Sequence, residues 1–169
     1  YQVQTPEGYL GWLDAKGLEL LSEPEMEAWK KSPRYFYNRI SGTAFTTPGP
    51  DFAIGINIDI DIDIDIVTDL VLGDLFEVLE ERNGFIKIKL PDGREGFVLK
   101  SECISFEKWI SLDPEVESII AFAKQMMGFP YLWGGASSKA ADCSGFTKLM
   151  YYTQGIILAR DASQQVRYG

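Results

Sequence analysis

Histidine is missing from this sequence altogether. Its absence excludes an imidazole base, an imidazole metal ligand and a histidine pH switch within these 169 residues. Cysteine is nearly as scarce: Cys103 and Cys143 make no disulfide framework and leave the redox compartment open. No apolar run approaches the roughly 18 residues that a membrane-spanning helix needs. Basic residues are outnumbered, 16 against 25 acids for a net charge of −9, so nucleic acid is not an expected partner. The opening Tyr1-Gln2-Val3-Gln4 has neither a basic region nor an apolar signal core. Any export signal is therefore expected to have been removed or never to have existed, and the start directly in a strand-like segment leads to the expectation of native sequence upstream.

What is present is enough for packed cores: 46% of residues are hydrophobic and 13% aromatic. Residues 1–13 read as strand, turn and strand, with Thr5-Pro6-Glu7-Gly8 as the turn. Ser22 to Trp29 has the signature of a short helix, with Pro24 in the first turn and acids near the start, and Ser32-Pro33 closes it. Gly73 to Glu80, Phe85 to Leu90 and Phe97 to Leu99 alternate as strands around Asn83-Gly84 and Asp92-Gly93 turns, the pattern of a small antiparallel barrel. Thr5–Trp12 parallels Leu90–Phe97, a weak internal repeat.

Ile54 to Ile66 alternates strictly, mostly isoleucine against aspartate, which predicts a strand with one apolar and one acidic face. Calcium is not expected there, because carboxylates along a flat face do not encircle an ion. Asp113-Pro114-Glu115 has the form of a helix start with Asp113 as the cap, and Val116, Ile119, Ile120, Ala123 and Met127 follow at helical spacing up to Gly128. A second helix runs from Cys143, with Phe146, Leu149, Met150 and Thr153 inward, and stops at Gly155. Trp12, Trp29 and Trp109 read as packing residues between modules, and Trp133 with Gly134-Gly135 as packing and backbone room for a turn at the border of the cleft.

Cys143 sits where a glycine-rich loop becomes a helix. Helix starts favour a thiolate and offer N–H donors to a developing oxyanion, while a buried inert thiol is the competing reading. Cys103, at the end of a β unit, reads as core.

Three ordered blocks, Phe129-Pro130-Tyr131-Leu132-Trp133-Gly134-Gly135, Asp142-Cys143-Ser144-Gly145-Phe146 and Gly155-Ile156-Ile157-Leu158 with Arg160-Asp161, resemble the NlpC-type papain-like cysteine peptidases of bacterial walls. Ala159 departs from the proline usual in that family. The two hairpins resemble the distal hairpins of bacterial SH3-like domains. Together they imply an α+β chain, an SH3-like small β-barrel followed by the N-terminal half of a papain-like peptidase domain. The expected organisation is a C-terminal remnant of a first SH3-like domain at 1–22, a helical linker at 23–34, a second SH3-like domain at 35–107 and the front of the peptidase at 108–169.

The resemblance narrows to γ-D-glutamyl-L-diamino acid endopeptidases, which cut wall stem peptides carrying a free N-terminal L-alanine. It implies Cys143 as nucleophile, Tyr131 by the oxyanion region, Asp142 at the L-alanine ammonium and Ser144 at a D-glutamate oxygen. Tyr9 stands as a contributor to the pocket wall, against a structural reading as a satisfied core tyrosine. Arg160 and Asp161 are expected to pair with each other. The family's histidine base lies well downstream of the cysteine, so the chain is expected to stop short of it and to be inactive alone. No cofactor or metal is implied. The expected partner is the peptidoglycan stem peptide, the expected state a monomer and the expected place the cell envelope, with the cytoplasm as the alternative open to recycling enzymes of this type. Alternatives are a non-catalytic wall-peptide binding module, or an amidase or acyltransferase on the same scaffold.

Overall fold

The structure, a computed structural model, describes residues 1–48 and 65–168. The Ile–Asp alternation from Ile54 to Ile64 lies outside the described residues. Two short strands, β1 (Gln2–Gln4) and β2 (Leu10–Trp12), form an antiparallel hairpin. Helix α1 (Glu23–Lys31) follows, started by Ser22, whose amide and hydroxyl both donate to the Glu25 carboxylate at 2.8 and 2.6 Å. Strands β3 (Arg34–Tyr37), β4 (Ser41–Phe45), β5 (Ile66–Val71), β6 (Leu75–Arg82), β7 (Phe85–Lys89), β8 (Glu95–Leu99) and β9 (Cys103–Ser105) build one seven-stranded antiparallel sheet. Its order is β5-β4-β8-β7-β6-β3-β9.

Alternation along these strands gives the sheet its core. Tyr37, Ala44, Leu70, Phe76, Ile86, Ile88 and Val98 are buried together, while most of their strand neighbours are less buried and include Thr43, Asp69, Glu77, Lys87 and Lys89. Asn83 and Gly84 turn β6 into β7 with φ of 50° and 81°, the left-handed pair that a two-residue hairpin needs.

The internal repeat survives as backbone geometry. In the first copy the Thr5 amide donates to the Tyr9 carbonyl at 2.9 Å and the Gly8 amide to Thr5 at 2.8 Å. In the second, Leu90 donates to Arg94 at 2.9 Å and Gly93 to Leu90 at 3.0 Å. Gly8 and Gly93 both stand at φ 84°, a conformation that favours glycine.

The remaining segment is helical, which makes the whole chain α+β as expected. It contains α2 (Phe106–Ile110), α3 (Val116–Gln125), a two-strand pair β10 (Ala136–Ser137) and β11 (Ala140–Ala141), α4 (Cys143–Tyr152) and α5 (Ala162–Tyr168). Helix α3 starts at Val116 with Glu115 at the cap position, so Asp113 is not the cap.

The two halves share a second core, formed by Phe36, Leu72, Trp109, Met126, Leu149 and Met150. Trp109 is its centre. It stacks on Phe36 at 5.1 Å between ring centroids, meets Tyr152 edge-on at 4.8 Å, and donates its indole N–H to the Tyr152 carbonyl at 2.7 Å. Trp29 packs on the Arg34 guanidinium, 4.5 Å from its ring centroid, and Phe106 lies 4.1 Å away with its own ring. Trp12 and Trp133 do otherwise: they are 82% and 86% exposed, so neither packs between modules.

Candidate active site

Cys143 is the first residue of α4 and is exposed. The loop before it is anchored at several points. Ser138 is buried, donates its hydroxyl to the Ile40 carbonyl and accepts from the Leu72 amide at 3.3 Å, which ties the loop to the β sheet. Further back, Leu132 donates to the Ala141 carbonyl at 3.3 Å, and the Asp142 amide donates to Gly135 at 3.0 Å. Gly145 lies against that turn so closely that a Cβ there would stand 2.0 Å from the Gly135 carbonyl oxygen. Backbone, not a flexible side chain, occupies the space, so residue 145 must be glycine for the loop and helix to meet this way.

Asp142 and Ser144 flank the thiol and are both 7% exposed. Asp142 caps α4: its Oδ1 accepts from the Gly145 amide at 2.7 Å. Oδ2 accepts from the Gly134 amide at 2.9 Å, which closes the glycine turn onto the same carboxylate. Arg160 then arrives from beyond the helix, Nη2 to Oδ2 at 2.8 Å and Nη1 to Oδ1 at 3.2 Å. The same Nη1 donates to the Ser144 Oγ at 3.1 Å, and that hydroxyl donates to Oδ1 at 3.2 Å. Arg160 therefore pairs with Asp142, not with its neighbour Asp161. The guanidinium, reinforced by the Gly145 and Gly134 amides, holds the Asp142 carboxyl well below the usual aspartate range despite burial.

Other contacts fix the far side of the helix start. Gln165 of α5 donates Nε2 to the Ser144 carbonyl at 3.0 Å and to the Ala159 carbonyl at 2.9 Å. Thr147 donates its hydroxyl to the Cys143 carbonyl at 3.0 Å. First-turn amides have no acceptor inside a helix, which leaves such donors at the end where Cys143 stands.

Tyr131 is 64% exposed and forms a parallel bridge to Ala141, so it is placed beside the residue preceding Asp142. Tyr9 is half-buried and lies within electrostatic reach of Arg160. The structure thus gathers Tyr131, Asp142, Cys143 and Ser144 around one end of α4, with Tyr9 within electrostatic reach of Arg160. It adds Arg160 and Gln165 to that group, which the sequence left out of it. An arginine eighteen residues after a buried acid was the available signal for the first.

Cys103 stands apart. It opens β9, is partly buried against the sheet's core, donates its thiol to the Leu99 carbonyl at 3.5 Å, and burial, followed by the Glu102 charge, pushes its thiol up to about 12. Among the described residues, no three His, Cys, Asp or Glu side chains come together to hold a metal ion, and no helix is long and apolar enough to cross a membrane.

Residues 128–169 match the model of the NlpC/P60 family. A γ-D-glutamyl-L-lysine dipeptidyl-peptidase from Bacillus cereus is 26% identical over 167 residues, which are 98% of this chain and 46% of that protein. A protein of the same name from Bacillus subtilis is 33% identical over 92 residues, 54% of this chain and 30% of that one. The chain thus spans less than half the length of these curated relatives. In fold it is similar to the crystal structure of an NlpC/P60 family protein from Bacillus cereus, with a TM-score of 0.74 at 24% identity, covering 98% of this chain and 50% of that one. An NlpC/P60 endopeptidase from Photobacterium damselae subsp. piscicida gives a TM-score of 0.57 at 23% identity, over 94% of this chain and 31% of that one. Residues 128–169 are thus similar in sequence to the NlpC/P60 family, the chain is similar in sequence to γ-D-glutamyl-L-lysine dipeptidyl-peptidases, and its fold is that of the NlpC/P60 protein from Bacillus cereus.

Proposed function

We propose that this chain is the nucleophile-bearing part of a cysteine peptidase that hydrolyses the γ-D-glutamyl-diamino acid amide of peptidoglycan stem peptides with a free N-terminal L-alanine. The observation that carries it is an exposed Cys143 at the first position of α4, between two buried polar side chains that a purely structural thiol does not need. The homology to peptidases of that name supports the substrate class.

In this reading the Cys143 sulfur attacks the scissile carbonyl, and first-turn amides of α4 with Tyr131 steady the oxyanion. The leaving amine departs with a proton, and water then cleaves the thioester. Asp142 takes the L-alanine ammonium. Its five contacts already fill both oxygens, so one must yield on binding; the Ser144 hydroxyl, at 3.2 Å, is free to rotate and turn to a D-glutamate oxygen. Arg160 keeps the carboxylate oriented throughout. No histidine exists among these residues, so the base comes from outside them. The same lack supports a second reading for these 169 residues taken alone, a module that binds wall peptides without cleaving them. The parent protein would act as a monomer in the cell envelope, where its substrate lies.

The test is release of L-Ala-γ-D-Glu from a stem peptide by the full-length parent protein and its Cys143→Ala form. Turnover by wild type and none by the variant is expected; equal turnover overturns the assignment of Cys143.

A further inference from the structure

The internal repeat provides its own control for one acidic residue. Glu7 and Asp92 occupy the same place in two turns with the same backbone hydrogen bonds and the same glycine conformation. Asp92 serves its own turn: it accepts from the Arg94 amide at 3.1 Å and from Arg94 Nε at 2.7 Å, out in solvent. Glu7 also bonds within its turn, to its own backbone and Thr5, but in addition reaches across the molecule to the ammonium of Lys148 on α4, and its side chain is only 7% exposed. The second copy thus forms the same backbone turn without an outward bond, so the contact with Lys148 is an addition to the turn and not a requirement of its geometry.

What it joins is informative. Lys148 lies on the helix that begins with Cys143, one turn beyond Ser144. Glu7 lies two residues before Tyr9, in a turn stiffened by the Thr5 amide and hydroxyl, which both donate to the Tyr9 carbonyl at 2.9 and 3.3 Å. Around the pair the seam is loosely packed. A cavity of about 340 Å³ opens between Thr5, Pro6 and Glu7 on one side and Gly73, Leu149 and Tyr152 on the other. Apolar packing does not fix the hairpin at that point; a buried charge pair does. Burial alone would raise the Glu7 carboxyl, but its bonds to Lys148, its own backbone and Thr5 bring it below the ordinary value.

We propose that the Glu7–Lys148 ion pair is the latch that holds the Thr5–Tyr9 turn against the helix that begins at Cys143, and so makes both residues positioning residues for selection of the peptide's free amino terminus. The proposal rests on the functional reading above. A stiff turn and a helix joined by a directional contact transmit position, and a lost charge partner leaves the other charge buried without its counter-ion, which loosens the seam.

The experiment uses the parent protein as wild type, Glu7→Gln, Lys148→Met and the double swap Glu7→Lys with Lys148→Glu. Amide hydrogen exchange across Thr5–Tyr9 reads the latch without any substrate. KM and kcat on stem peptides with free and N-acetylated L-alanine read its consequence. Each single variant should exchange faster in that turn, raise KM for the free peptide by about tenfold and lower its preference over the acetylated one, with kcat within about twofold; the swap should restore all of these. Where a single variant fails to fold, the swap decides: a folded swap without selectivity overturns the latch. Unchanged exchange in the single variants also overturns it, as does faster exchange with unchanged KM. If wild type cleaves neither peptide, the functional reading falls, while exchange still decides whether the pair holds the hairpin.

Discussion

Arg160 grips Asp142 with both terminal nitrogens, Nη2 to Oδ2 at 2.8 Å and Nη1 to Oδ1 at 3.2 Å, and its second hydrogen bond from Nη1 goes to Ser144. One planar cation thus orients both polar neighbours of the thiol. Removing it strands a carboxylate that is 7% exposed. Arg160→Ala is expected to lower stability by about 3 kcal/mol in denaturant melts, as for a buried pair that loses one partner. Arg160→Lys should recover only roughly half, because an ammonium cannot form the fork. Equal stability of the lysine variant and wild type would show that charge alone suffices.

The same contact fixes a pH dependence. The folded Asp142 carboxyl is held below its ordinary value, first by Arg160 and then by the Gly145 amide. A depressed carboxylate stabilises the fold above its unfolded pKa, and that contribution is lost as pH falls through the lower folded value. The carboxyl ¹³C shift of Asp142 should therefore stay flat through roughly pH 4, where ordinary aspartates titrate. In Arg160→Ala the inflection should move up towards that range. An ordinary titration in wild type would contradict the geometry.

The two thiols should separate cleanly by chemistry. Cys143 is exposed, whereas burial and Glu102 push the Cys103 thiol up to about 12. At neutral pH, iodoacetamide should add one label to the native chain, on Cys143, with Cys103 reacting only after denaturation. Mass spectrometry of tryptic peptides reads both sites. Comparable labelling of Cys103 in the native state would mean that its burial is not maintained.

Local pattern determined much of this molecule. Alternation in β6, β7 and β8, the Asn83-Gly84 turn, the matching turns at Gly8 and Gly93, and the α4 start at Cys143 are all set by residues within a few positions of one another. Each depends on short-range sterics and the period of side chains along a strand or helix, so each is legible in order. The Ile–Asp alternation was equally legible as a pattern, but Ile54 to Ile64 falls outside the described residues. Tertiary structure decided what has no local signal. Arg160 turned to Asp142, eighteen residues away, instead of the adjacent Asp161, and Glu7 to Lys148 across 141 residues. Four tryptophans of similar appearance divided into a buried centre at Trp109, a partly covered Trp29 and two exposed rings at Trp12 and Trp133. A charge takes whichever partner the folded chain brings within reach, and a ring is buried only where another element covers it. Neither is fixed until the sheet and helices have packed.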